Sequence, residues 1–105
     1  MYQNMLPIGS VVQLKQTDKA IMLCGRVVGN TALNKVYDYV GCIYPEGVVD
    51  SSKLLFFNSE DIAECLFRGY ENDEEKAFRS HVLDPLGEVV IEDGKMIARQ
   101  KTIES

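Results

Sequence analysis

The sequence predicts an α+β domain: a twisted antiparallel sheet, or a partly open small β-barrel, with one or two short helices. Three observations lead to this prediction. Residues 1–57 contain apolar runs rich in β-branched and aromatic residues, separated by Gly, Pro, Asn and Asp, which is the pattern of strands. Residues 58–84 carry helix-capping signals. Near the end, Asp93-Gly94 lies between two apolar runs and is typical of a type I′ hairpin turn.

Strands are expected in four apolar runs of the first half, which are residues 8–14, 20–28, 36–44 and 54–57. Gly25 interrupts the second run, and a glycine inside a strand often marks a bulge. The third run places Tyr37, Tyr39, Gly41 and Ile43 on one face and largely apolar residues on the other. A strand with two apolar faces belongs near the middle of a sheet or in a small barrel.

Two short helices are expected next. The first would be capped within residues 58–59 and stopped by Gly69, and the second would be capped by Asn72, with Glu75 three residues later, and end before Pro85. Their apolar faces would consist of Ile62, Cys65 and Leu66 in the first helix, and Phe78 and Val82 in the second. Both helices are expected to cover the sheet.

We interpret the chain as a single domain over residues 1–105, because it has no linker, internal repeat or low-complexity tract. A chain of this length buries roughly two-thirds of the surface that its unfolded form exposes. The C-terminal region 86–105 is expected to form a hairpin or tail that packs on the body or on a partner. Residues 101–105 are expected to be frayed.

Charge and hydropathy narrow the kinds of partner. Residues 1–57 carry five Lys or Arg against four Asp or Glu, whereas residues 58–105 carry six against twelve. An acidic surface repels phosphate backbones, so nucleic acid is a poor partner and a basic or amphipathic protein surface is favoured. No apolar run reaches the roughly 20 residues of a membrane-spanning helix, and the first residues do not resemble a secretion signal. We therefore expect a cytoplasmic protein without membrane insertion.

The sequence offers no convincing catalytic or metal-binding set. Cys24, Cys42 and Cys65 are far apart, odd in number and without a Cys-x-x-Cys pair, so they are interpreted as small buried apolar residues. His81 is the single histidine, and an exposed structural histidine is far commoner than a catalytic one. The acidic run 71–75 lacks the spacing of a calcium loop, and no phosphate-binding glycine pattern occurs. We expect no enzymatic activity and no cofactor.

Aromatic residues are more numerous than one small core can bury, which favours a protein-binding face. The candidate partner-binding residues are Tyr39, Tyr44, Glu46 and Tyr70. Gly41, Pro45 and Gly47 are expected to shape the loop beside them. Core packing and turn formation are equally good explanations for each of these residues.

Several strings in the sequence resemble one family of small Firmicutes proteins. They are LPIGSVV at residues 6–12, DYVGCIYPEG at 38–47, FFN at 56–58 and FRGY at 67–70, followed by the acidic run. In this order they resemble the family known as domain of unknown function 4176. The resemblance covers about residues 6–83 and leaves the C-terminal hairpin or tail outside it.

This resemblance implies a role in protein export. Members are typically encoded beside LXG toxins of the type VII secretion system, together with small helical partner proteins. It implies an accessory, chaperone or targeting factor that acts in the cytosol and binds the toxin, a small helical partner or the secretion machinery. The first alternative is an immunity protein that neutralises a toxin domain. The second alternative is a small enzyme or metal-binding protein. The resemblance assigns no catalytic residues.

Overall fold

A computed structural model describes residues 1–99. Its elements in chain order are β1 (Val11–Leu14), β2 (Ala20–Asn30), β3 (Lys35–Ile43), β4 (Leu55–Phe57), β5 (Ile62–Phe67), α1 (Asp73–Phe78), β6 (Val89–Glu92) and β7 (Lys95–Ala98). Short 3₁₀ turns lie at Ser51–Lys53 and Ser59–Asp61, and a π-helical segment, Arg79–Leu83, continues α1. The predicted α+β class is confirmed.

Five strands form one antiparallel sheet in the order β4-β3-β2-β1-β5, and β6 and β7 form a separate hairpin. The sheet is open, because its edge strands β4 and β5 are not paired with each other. Only residues 58–61 connect these two edges. A chain advances at most about 3.6 Å per residue, so the connected strand ends lie within about 18 Å of each other. In a flat sheet these ends would lie farther apart, at about 19 Å across the strands and about 20 Å along them, because Phe57 is level with Arg26 whereas Ile62 is level with the start of β2. The sheet must therefore curl.

The core lies on one face of this curled sheet. Its strand residues are Val12, Leu14, Ile21, Leu23, Tyr39 and Phe57. Tyr2 and Met5 from the N-terminal segment, Leu83 from the π-helical segment and Val89 from β6 complete the cluster. The polypeptide before β1 and after β5 thus closes the side of the core that the sheet leaves open.

The bulge expected at Gly25 is present in β2. Leu23 pairs with Gly41 and Gly25 pairs with Val40, so Cys24 is an extra residue on the β2 side. An added Cβ on Gly25 would lie 2.6 Å from Val40 Cγ1, which explains the need for glycine. β3 lies between β2 and β4, as its two apolar faces predict.

The first predicted helix is wrong, because residues 62–67 form strand β5. The capping signal is real but closes only one 3₁₀ turn, in which the Asn58 N–H donates to Asp61 Oδ2 at 2.9 Å. After that turn the chain pairs antiparallel with β1. The spacing of Ile62, Cys65 and Leu66 suited a helix, but pairing with a distant strand outweighed this local pattern.

The second predicted helix is confirmed, although its inward face is different. Asn72 Oδ1 accepts a hydrogen bond from the Glu75 N–H at 2.9 Å, as the capping signal predicts. Phe78 and Val82 are each 44% exposed, whereas Leu83 is buried. The wider π-helical turn after α1 shifts the buried position by one residue relative to the predicted face.

The predicted terminal hairpin is confirmed. Asp93 and Gly94 have φ values of 53° and 75°, the positive values that a type I′ turn requires. The hairpin packs on the β2–β3 ribbon, where a Cβ added to Gly29 would lie 2.8 Å from Met96 Sδ. The frayed end predicted for residues 101–105 lies outside the described residues.

A buried turn joins the entry of β1 to the exit of β5. Ser10 is fully buried; its hydroxyl donates to the Pro7 carbonyl at 2.7 Å and accepts from the Gly69 N–H at 2.9 Å. Gly69 is itself buried, and a Cβ there would lie 2.5 Å from Ile8 O and 2.8 Å from Ser10 N. These neighbours are backbone atoms and cannot rotate away. Gly69 was expected to end a helix, but its role in the structure is to permit close packing of the backbone.

We expect Gly69→Ala to destabilise the fold by about 2–3 kcal/mol, since the methyl group would force backbone atoms apart. Gly47→Ala is the matched control, because φ at Gly47 is +82° but the position of its Cβ is open. That control should cost only about 1 kcal/mol. Urea unfolding followed by circular dichroism measures both, and an equal loss in the two variants would contradict the proposed close packing.

Candidate functional site

An exposed apolar groove crosses one end of the sheet. It has a volume of about 540 Å³. We call its lining the apolar face, which consists of Gly9, Val11, Ala20, Met22, Tyr44, Leu66 and Phe67. Gly9 precedes β1, Tyr44 follows β3, and the other residues come from β1, β2 and β5. The register brings them together because Val11 pairs with both Met22 and Phe67.

The large side chains of the apolar face are unusually exposed. Tyr44 is 52% exposed, Leu66 51% and Phe67 61%. Both Leu66 and Phe67 lie in β5, an edge strand whose register against β1 shifts twice. Bulges of this kind make an edge irregular, which limits indiscriminate pairing with other strands. The side chains, more than the free backbone edge, are therefore available for contact.

Tyr44 is the candidate contact residue that lies in the groove. Its N–H donates to the Ala20 carbonyl at 2.9 Å, which fixes the backbone while the ring remains exposed. Glu46 is exposed and pairs with Lys19 at 2.7 Å, and the Lys19 hydrogen bond lowers the pKa of this carboxyl. The ion pair flanks the groove, because Lys19 precedes Ala20 in the chain.

The other two candidate contact residues have different environments. Tyr70 is 78% exposed but does not line the groove. Tyr39 is only 2% exposed, so the interpretation of it as a partner contact is wrong and its core role holds. Its ring stacks on Phe57, its hydroxyl accepts from the Leu6 N–H at 2.9 Å, and burial raises its pKa.

Of the three residues expected to shape the loop, two lie in it and one does not. Gly41 lies inside β3 and not in the loop, and a Cβ there would lie 2.6 Å from Ile21 Cγ2. Pro45 follows a cis peptide bond after Tyr44. Gly47 has φ +82° and its N–H donates to the Ile43 carbonyl at 2.7 Å, which closes the turn.

Sequence reasoning missed Leu66 and Phe67 as surface residues. Assigning residues 58–69 to a helix placed Leu66 on a buried face, and only the pairing with β1 turns both residues outward. The interpretation of all three cysteines as buried is right for Cys42 and wrong for Cys24 and Cys65, which are exposed. His81 lies exposed in the π-helical segment.

A second feature is an ionic network that fastens α1 to the sheet. Arg26 of β2 forms two hydrogen bonds with Glu75 of α1, at 2.9 and 2.8 Å, and the two side chains are only 7% and 13% exposed. Arg26 also lies over the Phe78 ring, 5.6 Å from its centroid. Sequence reasoning explained Glu75 only as a helix cap.

Glu71 is the centre of the same network. Its carboxylate accepts from Arg68 Nε at 2.9 Å and Nη2 at 3.2 Å, and from Arg79 Nη1 at 2.6 Å. These hydrogen bonds, first from Arg68 and then from Arg79, lower the pKa of Glu71 to about 2. Two guanidinium groups are thus held side by side between the end of β5 and the helix.

Fold and surface together define a small α+β domain with one exposed apolar groove. The family model described as Domain of unknown function (DUF4176) matches residues 5–78 of the chain. The chain belongs to this family, as its motifs predict. No curated protein and no solved structure matches it significantly. Among residues 1–99, no helix is long and apolar enough to cross a membrane.

The Glu71 pKa makes stability depend on pH. A carboxyl whose pKa is about 2 in the folded state and 4.5 in its ordinary state stabilises the fold above about pH 5, and this contribution is lost as pH falls towards 2. We expect Glu71→Gln to be less stable than the unmodified chain at pH 7, with a difference that shrinks below pH 5. Glu64→Gln, at an exposed position, is the control. Urea unfolding across this pH range measures the effect, and a constant difference would contradict it.

Proposed function

We propose that this protein is a non-enzymatic accessory or chaperone factor that binds an LXG toxin in the cytosol before type VII secretion. The observation that carries the proposal is the apolar groove, in which three large side chains are each more than half exposed. The toxin is proposed as the partner because the sequence resemblance implies it. No cofactor is required for this role.

The composition of the groove favours a polypeptide as its occupant. None of its lining residues is charged, and Tyr44 and Phe67 offer the aromatic surface that is enriched at protein interfaces. Contiguous apolar side chains at the surface of a small domain typically mark interaction sites. A partner that inserts apolar side chains would remove this surface from water, at about 25 cal/mol per Å² of apolar area buried.

The rim of the groove supports an oriented contact. The exposed Lys19–Glu46 ion pair flanks one side, and β5 with its irregular edge forms the other. A polar rim around an apolar centre is the usual anatomy of a protein–protein interface. Such a face would shield an apolar export segment of the toxin until the secretion machinery takes it over.

The acidic second half of the chain favours one alternative, an immunity protein. Residues 58–105 carry twelve acidic against six basic residues, and such a surface complements a basic toxin domain. In this role the protein would block the toxin and would not assist its export. The two roles differ in what the host cell loses when the gene is deleted.

The first test is binding of the toxin to variants of the apolar face. Tyr44→Ser and Phe67→Ser should each weaken binding by about tenfold or more, because each removes an aromatic contact at the centre of the face. Leu33→Ser is the matched control, since Leu33 is 60% exposed in the β2–β3 turn away from the groove. Calorimetric titration of the purified toxin measures affinity, and thermal unfolding confirms that each variant is folded. Equal affinity in all three variants would exclude the groove.

The second test separates export from immunity. Deletion of the gene should abolish toxin secretion, while expression of the protein should not protect cells that produce the bare toxin domain. Secreted toxin is measured in culture supernatant, and protection is measured as colony formation. Protection without any loss of secretion would replace the accessory role with immunity.

A further inference from the structure

A polar pocket of about 360 Å³ lies between the N-terminal segment, the end of β5 and the helical region. Its lining consists of Asn4, Arg68, Lys76, Arg79, Ser80 and Asp84. The volume falls in the range of small-molecule pockets, about 300–1,000 Å³. It shares no lining residue with the apolar face, so it is a second site.

One wall of the pocket presents hydrogen-bond donors with positive charge. Glu71 holds Arg68 through Nε and Nη2, and holds Arg79 through Nη1, which also donates to Met5 O at 3.4 Å. Several cationic groups of the pocket make no hydrogen bond or ion pair within residues 1–99. They are Nη1 of Arg68, Nε and Nη2 of Arg79, and the Lys76 ammonium. Glu71 therefore fixes the two guanidinium groups and leaves their other edges free. Such preorganised forks match a carboxylate.

The pocket lining also includes a carboxylate, because Asp84 directly follows the π-helical segment that carries Arg79. Asp84 Oδ1 is buried and has no hydrogen-bond partner among the described residues. A buried carboxylate oxygen without a donor is costly, and its presence in a pocket indicates a missing donor. Asp84 makes no ion pair with the cations that line the same pocket, within the part of the chain that the structure describes.

We propose that this pocket binds a carboxylate that carries a hydrogen-bond donor next to it. The carboxylate would bind Lys76 and the free edges of Arg68 and Arg79, and the donor would bind Asp84 Oδ1. The C-terminal residue of a polypeptide has this chemistry, with its carboxylate and its backbone N–H, and so does a free amino acid. The cationic donors favour an anionic ligand. The unpaired Asp84 Oδ1 favours an anion that carries a hydrogen-bond donor over an anion that carries none.

Four small probes test this pairing. N-acetylglycine represents a polypeptide C-terminus, and glycine represents a free amino acid. 4-Oxopentanoate is N-acetylglycine with CH₂ in place of the N–H. N-acetylglycinamide is N-acetylglycine without the carboxylate. Each is titrated into the full ¹⁵N-labelled chain at pH 7, with the Arg Nε and backbone signals followed by NMR. We expect N-acetylglycine to bind about tenfold more tightly than 4-oxopentanoate and to bind where N-acetylglycinamide does not. Tighter binding of glycine than of N-acetylglycine would assign the pocket to free amino acids.

Variants of the pocket separate its two halves. Lys76→Gln should weaken N-acetylglycine and 4-oxopentanoate equally, by about fivefold, whereas Lys53→Gln, an exposed lysine elsewhere, should change neither. Asp84→Ala, which removes the acceptor that an Asn would retain, should reduce the preference for N-acetylglycine over 4-oxopentanoate to about twofold or less. Backbone spectra of the unliganded variants show that the fold is intact. The proposal is overturned if no carboxylate shifts the Arg68 or Arg79 signals, or if inorganic phosphate and 4-oxopentanoate bind as tightly as N-acetylglycine.

Discussion

The pairing of β5 with β1 is the constraint on which the rest of the structure depends. It brings the end of the five-stranded sheet back to its first strand, and the short connection 58–61 then forces the sheet to curl. The hydrogen bond from Gly69 to Ser10 fixes the exit of β5 against the entry of β1. Without this pairing, Leu66 and Phe67 would have no place in the groove.

The helix depends on the sheet in turn. The Arg26–Glu75 pair is nearly buried, and a bidentate geometry compensates for part of the desolvation that two such charges undergo. Removal of either partner would leave a buried charge without its counterion, which is strongly destabilising. The buried Leu83 side chain and the Arg26–Glu75 contact together fix the position of the helix on the sheet.

The same region separates two kinds of surface. The chain leaves β5 through Phe67, which lines the apolar groove, and continues directly to Arg68, which lines the polar pocket. The groove presents side chains with no charge, whereas the pocket presents fixed guanidinium groups. A partner that uses both would place an apolar segment beside Phe67 and a carboxylate beside Arg68. The two contacts rest on separate residues and are separable by mutation.

The sequence alone determined the features that local interactions control. The Asp93-Gly94 hairpin, the Asn72 cap, the bulge beside Gly25 and the central position of β3 follow from dihedral preferences and apolar patterns over a few residues. The family followed from short motifs. Only the tertiary structure decided that residues 62–67 form a strand, that Tyr39 is buried while Tyr44 is exposed, and that Glu71 gathers two arginines. These outcomes depend on contacts between residues that are distant in sequence. The energy of such contacts cannot be inferred from a local sequence pattern.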